Sequence, residues 1–192
     1  MEKKQEQKSS RQDVIVIGVA MGLGAIFFAV LIWFTIFSSP FSVFTEDRYH
    51  LSIKYPSNWT VAKGYEGTIV SFVSPKEDAL DGFQENLNIT AQPLSPKTMT
   101  LDDYSKIAIK QMGAVFKTDL QVVQSKPITY AGFPAYLYVV KAATSQGLII
   151  KFLWFIKDER SYTITCAAQN FQLSKYQAKF DEMIQSFSIP AY

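Results

Sequence analysis

Few side chains in this 192-residue sequence have the chemistry of a catalytic group. His50 is the only histidine and Cys166 is the only cysteine. A cysteine–histidine dyad requires the two side chains within hydrogen-bond reach of each other. The apolar alternation around His50 directs this residue to solvent, opposite Tyr49 and Leu51, whereas Cys166 shares an inward face with Ile164. We therefore predict no dyad, and we interpret Cys166 as a small buried hydrophobic residue.

The other common catalytic and metal-binding patterns are also missing from the sequence. A single histidine excludes multi-histidine metal sites and the H-E-x-x-H motif. Neither G-x-S-x-G nor S-x-x-K occurs, so a serine hydrolase or a serine–lysine protease lacks its sequence support. We predict no catalytic, cofactor-binding or metal-ligating residue, and a protein that is not an enzyme.

One acidic loop offers oxygen ligands. It follows Pro75 and carries four carboxylates, at Glu77, Asp78, Asp81 and Glu85. Hard cations such as calcium prefer oxygen ligands, but the loop does not match the D-x-[DN]-x-[DN]-G calcium pattern. A solvated acidic loop is the simpler interpretation. A small-ligand or cation-binding module remains the alternative function.

The charge of the chain argues against nucleic acid as a partner. Nineteen lysines and arginines balance 17 aspartates and glutamates, which gives a net charge of +2. Proteins that bind nucleic acid normally concentrate basic residues on one surface or segment. We predict no nucleic-acid partner.

An apolar segment over residues 14–37 determines where the rest of the chain is placed. It contains no charged residue and no proline. As a helix it is about 36 Å long, which exceeds the roughly 30 Å hydrocarbon core of a bilayer. The sequence therefore predicts a tail over 1–13, a transmembrane helix over 14–37, a linker over 38–47 and a folded domain over 48–192.

Basic residues near this segment predict its orientation. Four of them precede it, whereas only Arg48 and Lys54 follow it closely, and this bias places the N-terminus in the cytoplasm. A cleaved signal peptide is the alternative, but the apolar run is too long and no small-x-small site ends it. We predict an uncleaved signal anchor in the cell membrane with the domain on the extracytoplasmic side. The four preceding residues are Lys3, Lys4, Lys8 and Arg11.

Small residues recur on one face of the predicted transmembrane helix. Gly18 and Gly22 form a G-x-x-x-G pattern, which lets two helix backbones approach closely. Glycine is also common in membrane helices without this role. A transmembrane dimer through Gly18 and Gly22 is therefore a hypothesis.

The remaining sequence predicts an α+β domain with the order β-β-β-α-β-β-β-β-α. Thr100 followed by Asp103 indicates a helix start, and apolar residues then recur at helical spacing to Val115. Strands joined by short turns predict an antiparallel sheet of about seven strands flanked by the two helices. The segment 148–156, apolar on both faces, is the predicted central strand. The other predicted strands cover 49–55, 68–73, 87–93, 119–130, 134–142 and the segment around 162–166, and the second helix covers 173–187.

Several of these segments resemble the PsbP-like family. The resemblance extends over most of residues 45–189, and it implies a central antiparallel sheet flanked by helices. In oxygenic phototrophs such proteins are non-catalytic accessory subunits on the lumenal side of photosystem II, and related bacterial domains are mostly secreted or anchored. The matching segments are Tyr49-x-Leu-x-Ile-x-Tyr55-Pro56-x-x-Trp59, Val70-x-Phe72, Asn86-Leu87-Asn88-Ile89, Ala131-Gly132-x-x-Ala135-x-x-Tyr138 and Ser186-Phe187. We therefore expect a membrane-anchored accessory or interaction protein that binds or stabilises a neighbouring membrane or envelope complex.

Overall fold

The computed structural model describes residues 41–64, 67–116, 120–145 and 147–190. The predicted tail, the predicted transmembrane helix and its Gly18–Gly22 face lie outside these residues. Within the described ranges, no helix is both long enough and apolar enough to cross a membrane.

The described residues contain nine strands, two α-helices and one short 3-10 helix. The 3-10 helix covers Asp47–Tyr49, and the α-helices are α1 (Leu101–Phe116) and α2 (Leu173–Ser186). The strands are β1 (Phe41–Glu46), β2 (Leu51–Pro56), β3 (Thr60–Lys63), β4 (Val70–Val73), β5 (Asn86–Pro93), β6 (Leu120–Tyr130), β7 (Phe133–Ala142), β8 (Leu148–Lys157) and β9 (Arg160–Gln169).

Seven of the strands form one antiparallel sheet, in the order β3-β4-β5-β9-β8-β7-β6. This confirms the predicted α+β class and the seven-stranded antiparallel sheet with two helices. The predicted central strand is wrong by one position, because β9 occupies the middle and β8 lies beside it. Strands β1 and β2 pair with each other in a separate hairpin, so the strand predicted over 49–55 does not belong to the seven-stranded sheet, and β3 supplies the seventh strand instead.

Within the linker predicted over 38–47, Phe41–Glu46 forms β1 and pairs with β2. Phe44 explains why this segment is ordered. Its side chain is buried, and its ring meets that of Phe72 edge to face at 5.7 Å. Burying a phenylalanine is worth about 1.5 to 3 kcal/mol relative to leaving it exposed, so the segment is held against the core.

One face of the sheet is covered by α2 together with the β1–β2 hairpin. Tyr176, Phe180 and Met183 of α2 are buried there among inward-facing sheet residues such as Phe155 and Ile164. The hairpin is fixed to the end of α2 by backbone hydrogen bonds between residues 52 and 188. This face therefore holds the larger hydrophobic core.

Helix α1 covers part of the opposite face. Its N-terminus is capped as predicted, since the Asp103 backbone N–H donates to Thr100 Oγ1 at 3.1 Å. The helix packs over β7 and β8, where Trp154 is buried and its indole Nε1–H donates to Ser105 Oγ at 2.7 Å. Thr163 and Thr165 of β9 lie on the same face and are only half-buried. The sheet is thus covered on both sides, but less completely on the α1 side.

Candidate functional site

Cys166 lies on the core face of β9 and is buried, as predicted. Burial raises the pKa of its thiol to about 12, so the thiolate that would act as a nucleophile is scarce at neutral pH. It borders a cavity of about 210 Å³ under α2, whereas the exposed His50 lines a different cavity. The structure does not bring these two residues into one site.

The cavity beside Cys166 is mostly apolar. Its polar wall includes Lys151, whose Nζ donates to Asp181 Oδ1 at 2.9 Å. Small-molecule sites usually enclose about 300 to 1,000 Å³, so this space is small for a metabolite. A second cavity of about 310 Å³ lies at the end of the sheet, and among the described residues that line it Lys141 alone is ionisable. The amine of Lys151 shares the first cavity with the Cys166 thiol, but it is charged and paired with Asp181, so it is not set up as a base for the thiol.

Carboxylates of the acidic loop accept hydrogen bonds from other groups of the protein. Glu77 accepts hydrogen bonds from Lys175 Nζ, from Tyr176 Oη at 3.0 Å and from Gln172 Nε2 at 3.0 Å. The hydrogen bond from Lys175 is the main reason that the pKa of Glu77 is lowered, against an opposing effect of burial. This carboxylate therefore fastens the loop to the start of α2.

Two further carboxylates of the loop also accept hydrogen bonds from the protein. Asp81 accepts from the backbone N–H groups of Glu77 and Phe83, and these bonds lower its pKa. Asp78 accepts from the N–H of Leu80 at 2.7 Å. Glu85 is buried, which raises its pKa. Over the described part of the chain, no three His, Cys, Asp or Glu side chains converge as metal ligands would.

A third cavity, which we name the basic cavity, was not predicted as a site. It encloses about 170 Å³ between the 3-10 helix and the turn that joins β8 to β9. Of its residues, Arg48 was used in the sequence only to predict the orientation of the apolar segment. The residues that line the basic cavity are Arg48, Tyr49, His50, Lys157, Asp158, Arg160, Tyr162 and Ile189.

Comparison with known proteins places this fold in a family. The family model described as PsbP-like protein matches residues 38–189, which is most of the chain. The chain belongs to the PsbP-like family. No curated protein matches its sequence significantly.

Solved structures of low sequence identity share the fold of this PsbP-like domain. Cyanobacterial PsbP (CyanoP) from Synechocystis is 15% identical, with a TM-score of 0.59, over 80% of this chain and 94% of CyanoP. The Ran-binding protein Mog1p of Saccharomyces cerevisiae is 9% identical, with a TM-score of 0.54, over 79% of this chain and 96% of Mog1p. LpqN of Mycobacterium tuberculosis, involved in cell envelope biogenesis, is 9% identical, with a TM-score of 0.52, over 81% of this chain and 88% of LpqN.

Proposed function

We propose that this protein is a non-catalytic accessory protein, anchored in the cell membrane, whose PsbP-like domain binds a neighbouring membrane or envelope complex. The observation that carries the proposal is the match to the PsbP-like family over residues 38–189. A fold alone does not specify a function, so the side chains must be consistent with it as well. Here the thiol of Cys166 is buried and protonated, and Glu77 is occupied by three protein donors.

Fold relatives support binding as the activity. The yeast relative of similar fold is a Ran-binding protein, which shows that this architecture can serve protein recognition. The mycobacterial relative takes part in cell envelope biogenesis, which agrees with a location at the envelope. We carry these two properties to this chain as part of the proposal.

The membrane anchor is the second part of the proposal. Its support is the uncharged apolar segment 14–37 and the basic residues that precede it. In this arrangement the N-terminus is cytoplasmic and the domain is extracytoplasmic. The first strand of the folded domain begins at Phe41, soon after the proposed anchor segment ends.

The alternative, a cation-binding module, depends on the acidic loop. Glu77, Asp78 and Asp81 all accept hydrogen bonds from groups of the protein itself. A cation would have to displace these donors and would lose the attachment of the loop to α2. No observation favours this alternative over the accessory function.

Affinity purification in a mild, uncharged detergent tests the proposal. Three forms are compared: the full chain, residues 38–192 alone, and the full chain with segment 14–37 replaced by an unrelated transmembrane helix. We expect the same membrane-protein partner with all three forms, because the domain supplies the contact. Recovery only with the natural segment 14–37 would assign binding to the anchor. Failure of all three forms to retain a partner would contradict the accessory function.

A further inference from the structure

The basic cavity collects a rare residue type. The whole sequence has three arginines, and the two that follow the predicted anchor, Arg48 and Arg160, both line this cavity together with the only histidine. The planar guanidinium group presents its donors in a fixed fork that matches the oxygens of phosphate and carboxylate groups. Lysine is the common cation elsewhere in the domain, so the position of both arginines here indicates recognition of an oxyanion.

An aromatic ring holds the two guanidinium groups in place. Arg48 Cζ lies 5.6 Å and Arg160 Cζ 6.0 Å from the centre of the Tyr49 ring, within the range of a cation–π interaction. Tyr49 in turn meets the buried Tyr162 edge to face at 6.4 Å. Because the arginines rest on a fixed ring, an arriving anion has less side-chain entropy to overcome.

The backbone and the strand register around the cavity are locally unfavourable. Lys157 and Arg160 are direct cross-strand partners, and like charges in this position destabilise a sheet, although Asp158 pairs with Lys157. Asp158, Glu159 and His50 all have positive φ, at 51°, 56° and 50°. A two-residue turn of this kind favours Asn-Gly, and strained residues cluster at functional sites. A ligand that bridges the two cations would offset part of this cost.

Charge and size indicate the chemical class of the ligand. Arg48, Lys157 and Arg160 supply three positive charges, and Asp158 supplies the only carboxylate among the described residues of the wall. Glu159 of the same turn pairs with Lys97, which is not part of the wall. The excess of two positive charges complements a dianion. At about 170 Å³ the space admits one small group and not a drug-sized molecule.

We propose that the basic cavity binds a phosphate group, supplied either as inorganic phosphate or as the terminal phosphomonoester of a larger molecule. Arg48 and Arg160 hold the phosphate oxygens from the face of Tyr49, and Lys157 contributes charge from the buried side. The site is independent of the proposed accessory function, because it requires no protein partner.

Isothermal titration calorimetry on the full chain in uncharged detergent tests this site, with sodium chloride at constant ionic strength. We expect saturable binding of inorganic phosphate with a dissociation constant of about 1 mM or lower, and at least about tenfold weaker binding to the double variant Arg48→Gln/Arg160→Gln. The control, Lys110→Gln/Lys126→Gln, removes the same formal charge from exposed positions and should stay within about twofold of the natural chain.

Two further comparisons make the result decisive. If Arg48→Gln/Arg160→Gln fails to fold by circular dichroism, the variant Arg48→Lys/Arg160→Lys keeps the charge, loses the planar fork and should still weaken binding. Glycerol 3-phosphate represents the phosphomonoester source. Binding of glycerol 3-phosphate, with or without phosphate, supports a phosphomonoester as the ligand, and binding of phosphate alone supports the free anion. The proposal is overturned if neither phosphate nor glycerol 3-phosphate binds at about 20 mM, if the arginine variants bind the ligand unchanged, or if acetate binds as tightly.

Discussion

The hydrogen bond between Trp154 and Ser105 provides a sharp test of how α1 is attached to the sheet. Trp154 is 1% exposed and Ser105 is 2% exposed, and the indole Nε1–H donates to Ser105 Oγ at 2.7 Å. The Ser105 hydroxyl in turn donates to the carbonyl oxygen of Leu101 at 2.7 Å, one turn earlier in the helix. The substitution Ser105→Ala removes the acceptor and leaves the indole N–H buried.

Two opposing effects determine the expected loss of stability. A buried donor left without a partner costs about 1 to 3 kcal/mol. Alanine is the better helix former by about 0.5 kcal/mol, and a serine bonded back to its own helix contributes little to helix stability. The net loss is therefore about 0.5 to 2.5 kcal/mol. For a domain of this size, each kcal/mol lowers the melting temperature by about 2 to 4 °C.

Thermal unfolding followed by circular dichroism measures this loss, with Ser125→Ala as the matched control. Ser125 bonds the Tyr136 hydroxyl at an exposed position, so its substitution should change the free energy of unfolding by less than about 0.5 kcal/mol. In the background Trp154→Phe there is no N–H to leave unpaired, so Ser105→Ala should there cost close to nothing. An equal loss in both backgrounds would refute the argument and assign the effect of Ser105 to packing alone.

Three further predictions concern the thiol, the acidic loop and the anchor. The pKa of Cys166 is about 12 in the folded protein and near 9 when unfolded, so the unfolded thiol loses its proton first. The free energy of unfolding should therefore fall as pH rises above about 9. Melting temperatures of the natural chain and of Cys166→Ala are compared over this pH range, and an equal loss of stability in the two chains would refute the prediction. Calcium should leave the melting temperature of the full chain unchanged, because Glu77 and Asp81 are bound by protein donors, and a calcium-dependent rise that Asp81→Asn abolishes would contradict this. If the anchor dimerises through the face that carries Gly18 and Gly22, the double variant Gly18→Leu/Gly22→Leu should form less cross-linked dimer in membranes than the natural chain. The control Ala20→Leu should form as much dimer as the natural chain. Equal amounts of dimer in the natural chain and both variants would reject that face.

Sequence patterns predicted most of the strands and missed β1 and β3, which carry few or no buried apolar residues. In β1 only Phe44 is buried and the neighbouring Val43 is 62% exposed, so the segment has too few inward residues to mark a strand. In β3, over Thr60–Lys63, no residue is buried. Pairing to a neighbouring strand, which the sequence does not display, is what orders both segments.

The position of the central strand was mispredicted for a physical reason. Strand β8 is apolar on both faces because α2 and α1 cover it from opposite sides. Strand β9 lies in the middle of the sheet but carries the half-buried Thr163 and Thr165 where α1 does not cover it fully. A strand that is apolar on both faces is therefore covered on both faces, but this does not show whether the strand lies in the middle of the sheet.

The basic cavity was beyond prediction from local pattern. Arg48 belongs to the first part of the domain and Arg160 to its last hairpin, and neither sits in a motif. They meet because the 3-10 helix places Tyr49 against Tyr162 of β9. The available signal was compositional, since arginine is rare in the chain and both copies in the domain lie in the cavity.

The pairing of β5 with β9 has a consequence for how the chain acquires its structure. Strands β6 to β9 form successive hairpins, whereas β5 joins them only through β9, near the end of the chain. Proteins are synthesised from the N-terminus, and long-range pairings are slow to form. Until β9 is available, Leu87 and Ile89, both fully buried in the finished sheet, lie along an open strand edge. A chain in which β9 has not yet paired therefore presents the apolar edge of β5 to other strands, and such an open edge favours aggregation.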